Sequence, residues 1–401
     1  MSPFSRTRLA ALVSLLLLLV IAPSPAVAAP VPVPSADPFY QPPSPLPPGE
    51  PGDVIRSRKI TVKVAVLPAP VEAWQVLYRS TSATGLPIAV SGTVLVPPTP
   101  WTAGPRPLLS YAVGTHGLGD ICAPSFTLRA GIENEVALIA QPLLKGWAVV
   151  ITDYQGLGTP GVHTYAVGQA EGRSVLDAAR AAQRLTGPGL SPAGPVGLWG
   201  FSQGGQASAF AGELQPSYAP ELNLVGVAAG GVPRDLAALA PVMNGGPFFG
   251  LAVGVMAGYK AAYPELPFEE ILNAHGRRLV AETSKDCVAV MVPRNAFQSF
   301  ATIASVPDPL ANPQWQARLA ENRAGQKAPG APVYLVHGDV DPLIPHDIAK
   351  PLLSSYCALG AKAQWRTIPL AGHITGDVVA TPLAVEWLSA RFAGRPASTS
   401  C

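Results

Sequence analysis

The 401-residue sequence predicts an α/β fold: a mostly parallel central sheet flanked by helices, interrupted by one helical insertion. Three observations predict it. Apolar β-forming runs alternate with helical periodicity from about residue 107 to 229 and again from about 332 to 393. Between them, residues 233–330 read as helix and loop without a strand. Finally, the run Pro195–Trp199 drives into Gly200-Phe201-Ser202-Gln203-Gly204, and Gly205–Ala211 continues as helix. Strand, sharp turn and helix in that order expose a serine hydroxyl at the end of a sheet.

The elements follow in order. Met1 to about Ala28 has Arg6 and Arg8, the apolar run Leu9–Ile21, then Ala26-Val27-Ala28, the layout of a cleaved secretory signal. The run is shorter than the roughly 20 residues a membrane span needs. Residues 29–52 carry prolines at nearly every second or third position and read as an extended surface arm. Residues 53–232 and 331–401 form the core. It opens with the strand-like pieces Val54–Val66, Trp74–Ser80 and Ile88–Val96, broken by Gly and Pro as in antiparallel hairpins. Pro107–Val113 is a buried strand ending in the glycine-rich loop Gly114–Gly119. Residues 131–144 read as helix and Gly146–Asp153 as strand. Gly172–Leu185 reads as an amphipathic helix with Arg173, Asp177, Arg180 and Arg184 on its wet side. The strand bearing Ser202, its helix and the strand Leu222–Ala229 complete this half. Residues 233–330 are a helical cap or lid, and Pro247–Tyr259 within it is apolar enough for cap core or for the wall of a greasy site. Sheet rhythm resumes at Pro332–Gly338 and Ala363–Ile368, and a helix near Leu383–Ala393 closes the chain.

Composition bounds the function. The chain is 48% apolar and 13% charged, with a formal charge of +2. Removing Arg6 and Arg8 leaves 25 basic against 25 acidic residues, so a nucleic-acid partner is excluded on charge. The four cysteines, Cys122, Cys287, Cys357 and Cys401, lack metal-ligand spacing. With export, they imply two disulfides; spacing leaves three pairings open.

A serine hydroxyl becomes a useful nucleophile only with a base beside it and an acid orienting that base. In a sheet of the α/β-hydrolase kind these follow in the order Ser, Asp or Glu, His, at the carboxyl ends of later strands. Val333–Val336 runs into His337-Gly338-Asp339-Val340-Asp341, so Asp341 is the expected acid and Asp339 the turn cap. The last sheet strand leads to Ala371-Gly372-His373, a histidine on a short loop and the expected base. His346 falls in the first turn of a helix, and His337, in an apolar strand end, reads as structural. The oxyanion needs preformed donors: the backbone N–H of Gln203, and one from the loop after the 108–113 strand, with Thr115 or His116 as candidates.

These residues, with Asp37-Pro38-Phe39-Tyr40, Arg56-Ser57-Arg58-Lys59, Cys122-Ala123-Pro124-Ser125, Tyr218-Ala219-Pro220-Glu221-Leu222-Asn223, Asn244-Gly245-Gly246-Pro247-Phe248 and His337-Gly338-Asp339-Val340-Asp341, resemble the secretory lipase family. This is the lipase-A type of α/β-hydrolase found in yeasts and actinobacteria. The likeness covers nearly all of the mature chain. It implies a secreted carboxylic-ester hydrolase with a helical cap, the triad Ser202, Asp341 and His373, and the bridges Cys122–Cys287 and Cys357–Cys401. The yeast lipase carries an acidic oxyanion side chain where a gapless match puts His116, so that donor differs here.

The expected function is therefore a secreted, cofactor-free and metal-free serine esterase or lipase working through an acyl-enzyme. It is expected to act as a monomer on lipid or other esters, with transient contact at a lipid interface. An acyltransferase or polyester hydrolase on the same triad is the alternative, and a non-catalytic secreted binding protein the more distant one.

Overall fold

Among residues 30–401, which the computed structural model describes, nine strands form the central sheet. The elements below lie in the unit Pro32–Cys401, and the expected signal at 1–28 falls outside the described residues. In chain order the strands are β1 (Val54–Ile60), the two-residue pair β2 (Lys63–Val64) and β3 (Leu67–Pro68), β4 (Glu72–Thr81), β5 (Pro87–Val96), β6 (Leu108–Ala112), β7 (Ala148–Thr152), β8 (Val196–Phe201), β9 (Leu224–Gly230), β10 (Val333–Gly338) and β11 (Ala363–Ile368). The sheet runs β1-β4-β5-β7-β6-β8-β9-β10-β11, with β2 and β3 as a separate hairpin.

From β7 to β11 all pairs are parallel, and the β1-β4-β5-β7 edge is antiparallel. The difference is visible in composition. β6, β7 and β8 are buried at every residue, as strands covered on both faces must be, whereas β1 is nowhere fully buried. Consecutive residues of a strand point to opposite faces, and β9 reports what covers each. A side chain at Gly226 would run into Trp387 of the helix His373–Phe392, while the next residue, Val227, lies against Gly212 of the helix Gln203–Tyr218.

Three expectations are corrected. The arm is not simply extended: it makes two 3₁₀ turns, Pro34–Ala36 and Pro38–Tyr40, and buries Phe39 and Tyr40. It is pinned by the buried Asp37, which pairs with Arg58 and, at 3.0 Å, with Arg129. The predicted helix at 131–144 is formed only over Val136–Leu144; a separate helix, Pro124–Ala130, precedes it and is ended by Gly131 at φ +79°. The helix at 172–185 begins earlier, at Gly168, and two of the four residues of its assumed wet face, Asp177 and Arg180, are buried, while Arg184 is exposed. Asp177 is fully buried and bonded to Ser80 Oγ (2.7 Å), Tyr218 hydroxyl (2.8 Å) and Arg180 (2.8 Å), since paired charges can be buried where lone ones cannot.

Between β9 and β10 the chain is helical, as expected, with seven α-helices among the described residues from Leu236–Met243 to Pro313–Glu321. They share a core of their own around Phe249, Tyr259, Tyr263, Phe268, Met291 and Trp315. The disulfide Cys122–Cys287 ties this helical layer to the loop after β6, and Cys357–Cys401 anchors the C-terminus. Closing so long a loop as the first contributes about 2–4 kcal/mol.

Candidate active site

Ser202 stands between β8 and the helix Gln203–Tyr218 at φ 59° and ψ −121°, a conformation that side chains other than glycine rarely adopt. Two backbone bonds hold it there: its N–H donates to Gly230 O (2.9 Å) and its carbonyl accepts from Gln206 N (3.0 Å). The turn also needs its glycines. A Cβ on Gly204 would sit 1.9 Å from Ala112 O, and one on Gly200 2.4 Å from the same oxygen. Any larger residue would push helix and strand apart and relax the turn.

The acid and base come from the next two strand ends. Asp341 lies just beyond β10, 5% exposed. Its Oδ1 accepts from Leu343 N (2.9 Å) and Ile344 N (3.0 Å), and its Oδ2 from His373 Nδ1 (2.7 Å). Burial alone would raise this carboxyl, but the His373 bond and the two amides outweigh it and hold it below the usual carboxylate range. With Nδ1 donating to Asp341, Nε2 of His373 is left to accept a proton. Asp339 is exposed and its side chain makes no hydrogen bond among the described residues, so Asp341, not Asp339, caps the turn. His337 donates Nε2–H to Ile344 O (2.8 Å), a structural role, and burial pushes its pKa down.

His373 does not sit on a loop. It is the first residue of the helix His373–Phe392, after Gly372, and Phe201 packs against its ring in a T-shaped contact at 5.2 Å. The helix begins ten residues earlier than the expected start at Leu383, because Pro382, which reads as a helix boundary in sequence, lies inside it. Ser202 Oγ makes no hydrogen bond to His373 here, although both side chains line the same spaces. Such bonds are commonly long until substrate is bound.

Two spaces meet at Ser202, His373, Leu251 and Leu343. The first, about 1010 Å³ of atom-free volume, runs into the helical layer and has no charged lining residue. The helix Phe249–Ala262 explains the ambiguity of its sequence by dividing its faces. Phe249, Val253, Ala257 and Tyr259 are core, while Leu251, Ala252, Val255 and Met256 line this cavity. The second space is an open cleft lined by Thr115, Glu135, Val292 and Asp377, among others.

The loop after β6 separates the two oxyanion candidates. Thr115 lines the cleft, its hydroxyl bonds Tyr165 (2.9 Å), and its backbone N–H has no partner among the described residues. The ring of His116 lines neither space. It turns inward, with Nε2 on Glu133 (2.8 Å) and Nδ1 on Gly114 O (3.0 Å), so it offers no side-chain donor to the site. Burial would lower its pKa, but Glu133 and Glu135 raise it to about 10, so it is an imidazolium locking the loop from behind. Glu135 adds a second tie, accepting from Gly114 N (2.8 Å) and Tyr111 hydroxyl (2.7 Å). Sequence reading missed both glutamates because two acids at the start of an assumed helix look like ordinary solvated residues.

It also missed what holds Gln203. Its side-chain nitrogen donates to His163 Nε2 (2.9 Å) and to Glu171 Oε1 (2.9 Å), and Glu171 Oε1 accepts in addition from Ala166 N (2.8 Å). Burial drives the His163 pKa down to about 4 and that of Glu171 up to about 8. Glu171 thus stays protonated in the fold at a pH where the unfolded chain would ionise it. Stability should therefore fall as pH rises from 4.5 to about 8. Replacing Glu171 by Gln removes this dependence. The melting temperature of Glu171→Gln relative to the natural protein should rise between pH 5 and pH 8.5 by about 2–4 °C or more. Thermal scans giving a pH-independent difference would exclude the idea.

A family model described as secretory lipase matches residues 123–400. The chain is 34% identical to a protein of Mycobacterium tuberculosis named as a probable inactive lipase, over 90% of this chain and 83% of the relative. It is 33% identical to a secreted triacylglycerol lipase of Malassezia globosa, over 91% of this chain and 82% of that one. Among solved structures, Candida antarctica lipase A in its closed state superposes with a TM-score of 0.84 at 27% identity, covering 92% of this chain and 89% of that one. On the matched model, these identities and the strand–turn–helix around Ser202, the chain belongs to the secretory lipase family, secreted ester hydrolases of the α/β-hydrolase fold.

Proposed function

We propose that the protein is a serine esterase or lipase that hydrolyses esters of apolar acids through an acyl-enzyme, with Ser202, His373 and Asp341 as its triad. The observation that carries this reading is the 2.7 Å bond from His373 to a buried Asp341 at the point where an uncharged cavity opens beside Ser202. Ser202 Oγ attacks the ester carbonyl while His373 Nε2 takes its proton. The tetrahedral oxyanion is held by the backbone N–H groups of Gln203 and Thr115. Collapse expels the alcohol, protonated by His373. A water molecule then attacks the acyl-enzyme by the same route and releases the acid.

The acyl chain goes into the first cavity, because a methylene gains about 0.8 kcal/mol on leaving water and that cavity holds no charge to solvate. The side chains of Ile374, 73% exposed, and Val378, 57% exposed, stand at the rim of the second cleft and supply apolar contact for a lipid surface. Triacylglycerols are thus within the proposed substrate range, as the name of the Malassezia relative says of that protein.

Two measurements on the mature protein test the reading. A serine-directed alkyl phosphonate should label Ser202 stoichiometrically. A p-nitrophenyl ester series from acetyl to palmitoyl should show kcat/KM rising with chain length before it falls. Absence of labelling in folded protein would leave a non-catalytic member, the kind of protein that the name of the Mycobacterium relative, probable inactive lipase, describes.

A further inference from the structure

The second cleft differs from the first in chemistry as well as shape. Its charged lining residues are Glu135 and Asp377, with no lysine or arginine among them. Glu135 is already committed, each oxygen accepting one hydrogen bond from the protein. Asp377 is not. It stands four residues after His373 on one helix, so both side chains lie on the same face, and both line the cleft. Its Oδ1 accepts from Thr381 Oγ1 (3.2 Å), while Oδ2 makes no hydrogen bond among the described residues.

We propose that this cleft receives the alcohol part of the ester, and that Asp377 selects alcohols carrying a further hydroxyl by accepting a hydrogen bond from it at Oδ2. The inference rests on the serine-hydrolase reading above. In that reaction the leaving oxygen must lie beside His373, which protonates it, and the alcohol then extends along the face of the helix that His373 begins. One turn on, it meets Asp377. The cleft has no lysine or arginine to pair with a phosphate-bearing headgroup. Its other walls combine the apolar Leu138, Phe248 and Val292 with the polar Asn134, Thr115 and Thr375, of which Thr115 and Thr375 are already engaged by Tyr165 and Gly372. The favoured substrates are therefore partial esters of a neutral polyol, such as a monoacylglycerol, over full esters, which the site still admits. A simple alkyl ester would leave the Asp377 carboxylate covered and unpaired, and a site built to bond a hydroxyl discriminates against substrates without one.

The test holds the acyl group constant. Wild-type, Asp377→Leu and Asp377→Asn proteins are assayed on 1-monodecanoylglycerol, methyl decanoate and decanoylcholine, and kcat/KM ratios are compared. The glycerol-to-methyl ratio should fall about fivefold or more in Asp377→Leu. It should fall less in Asp377→Asn, whose amide oxygen still accepts and whose shape keeps the fold. A ratio within twofold of wild type in both variants overturns the proposal. So does a larger loss on the choline ester than on the glycerol ester, which would make Asp377 a reader of positive charge. Phosphonate-sensitive hydrolysis of methyl decanoate by the wild type separates the two levels. If it is present and the ratios do not move, only the role of Asp377 fails; if it is absent, the serine-hydrolase reading fails and this proposal with it.

Discussion

Replacing Ser202 by alanine should lower kcat on a short p-nitrophenyl ester on the order of 10⁴-fold or more, with a far smaller change in KM. The hydroxyl is the atom that forms the acyl-enzyme, so its loss removes a reaction path and not one contact among many. The residual rate would come from the oxyanion donors, the N–H groups of Gln203 and Thr115, and from the apolar cavity, which still bind and polarise the ester. Alanine should fold, because the strain at position 202 is carried by backbone bonds to Gly230 and from Gln206, neither of which uses the side chain. Pre-steady-state release of p-nitrophenol gives the sharper check. Wild type should show a burst equal to the enzyme concentration, and Ser202→Ala none. A loss of only tenfold would mean that another group performs the attack.

Replacing Asp341 by asparagine should cost about 10³- to 10⁴-fold in kcat. Asp341 has two tasks, and its two oxygens divide them. Oδ1 closes the turn by accepting from Leu343 and Ile344, and Oδ2 fixes the proton of His373 on Nδ1. Asparagine can keep the first task with its oxygen. Its amide nitrogen then faces His373 Nδ1 as a donor, which stabilises the tautomer whose Nε2 carries a proton and cannot take one from Ser202. The fold should therefore survive while the base is disabled, and circular dichroism with kcat on one sample distinguishes the two effects. An activity loss matched by unfolding would assign Asp341 to structure alone.

The Ser-turn-helix pattern, the order of serine, acid and histidine, and the strand rhythm on either side were legible because each is a local property of the chain. A strand buried on both faces is apolar at nearly every position, as β6 to β8 are apart from the hydrogen-bonded Ser110 and Thr152, and a turn as tight as that at Ser202 needs glycine on both sides. Element boundaries were less legible where burial is specific. The polar face of the helix Gly168–Arg184 looked solvated, since sequence spacing shows that a face is charged but not that Ser80 and Tyr218 will meet Asp177 there.

The sequence by itself therefore determined the fold class, the secretory family and the three side chains whose order along the chain fits a triad. Only the tertiary structure decided which way the neighbouring polar residues face: His116 inward onto Glu133, Gln203 onto Glu171 and His163, Asp377 into the cleft beside His373. The physical reason is that hydrophobic periodicity is summed over many residues and survives the loss of any one. A polar side chain instead takes its role from a single partner within about 3 Å, and that partner often lies far away in the chain.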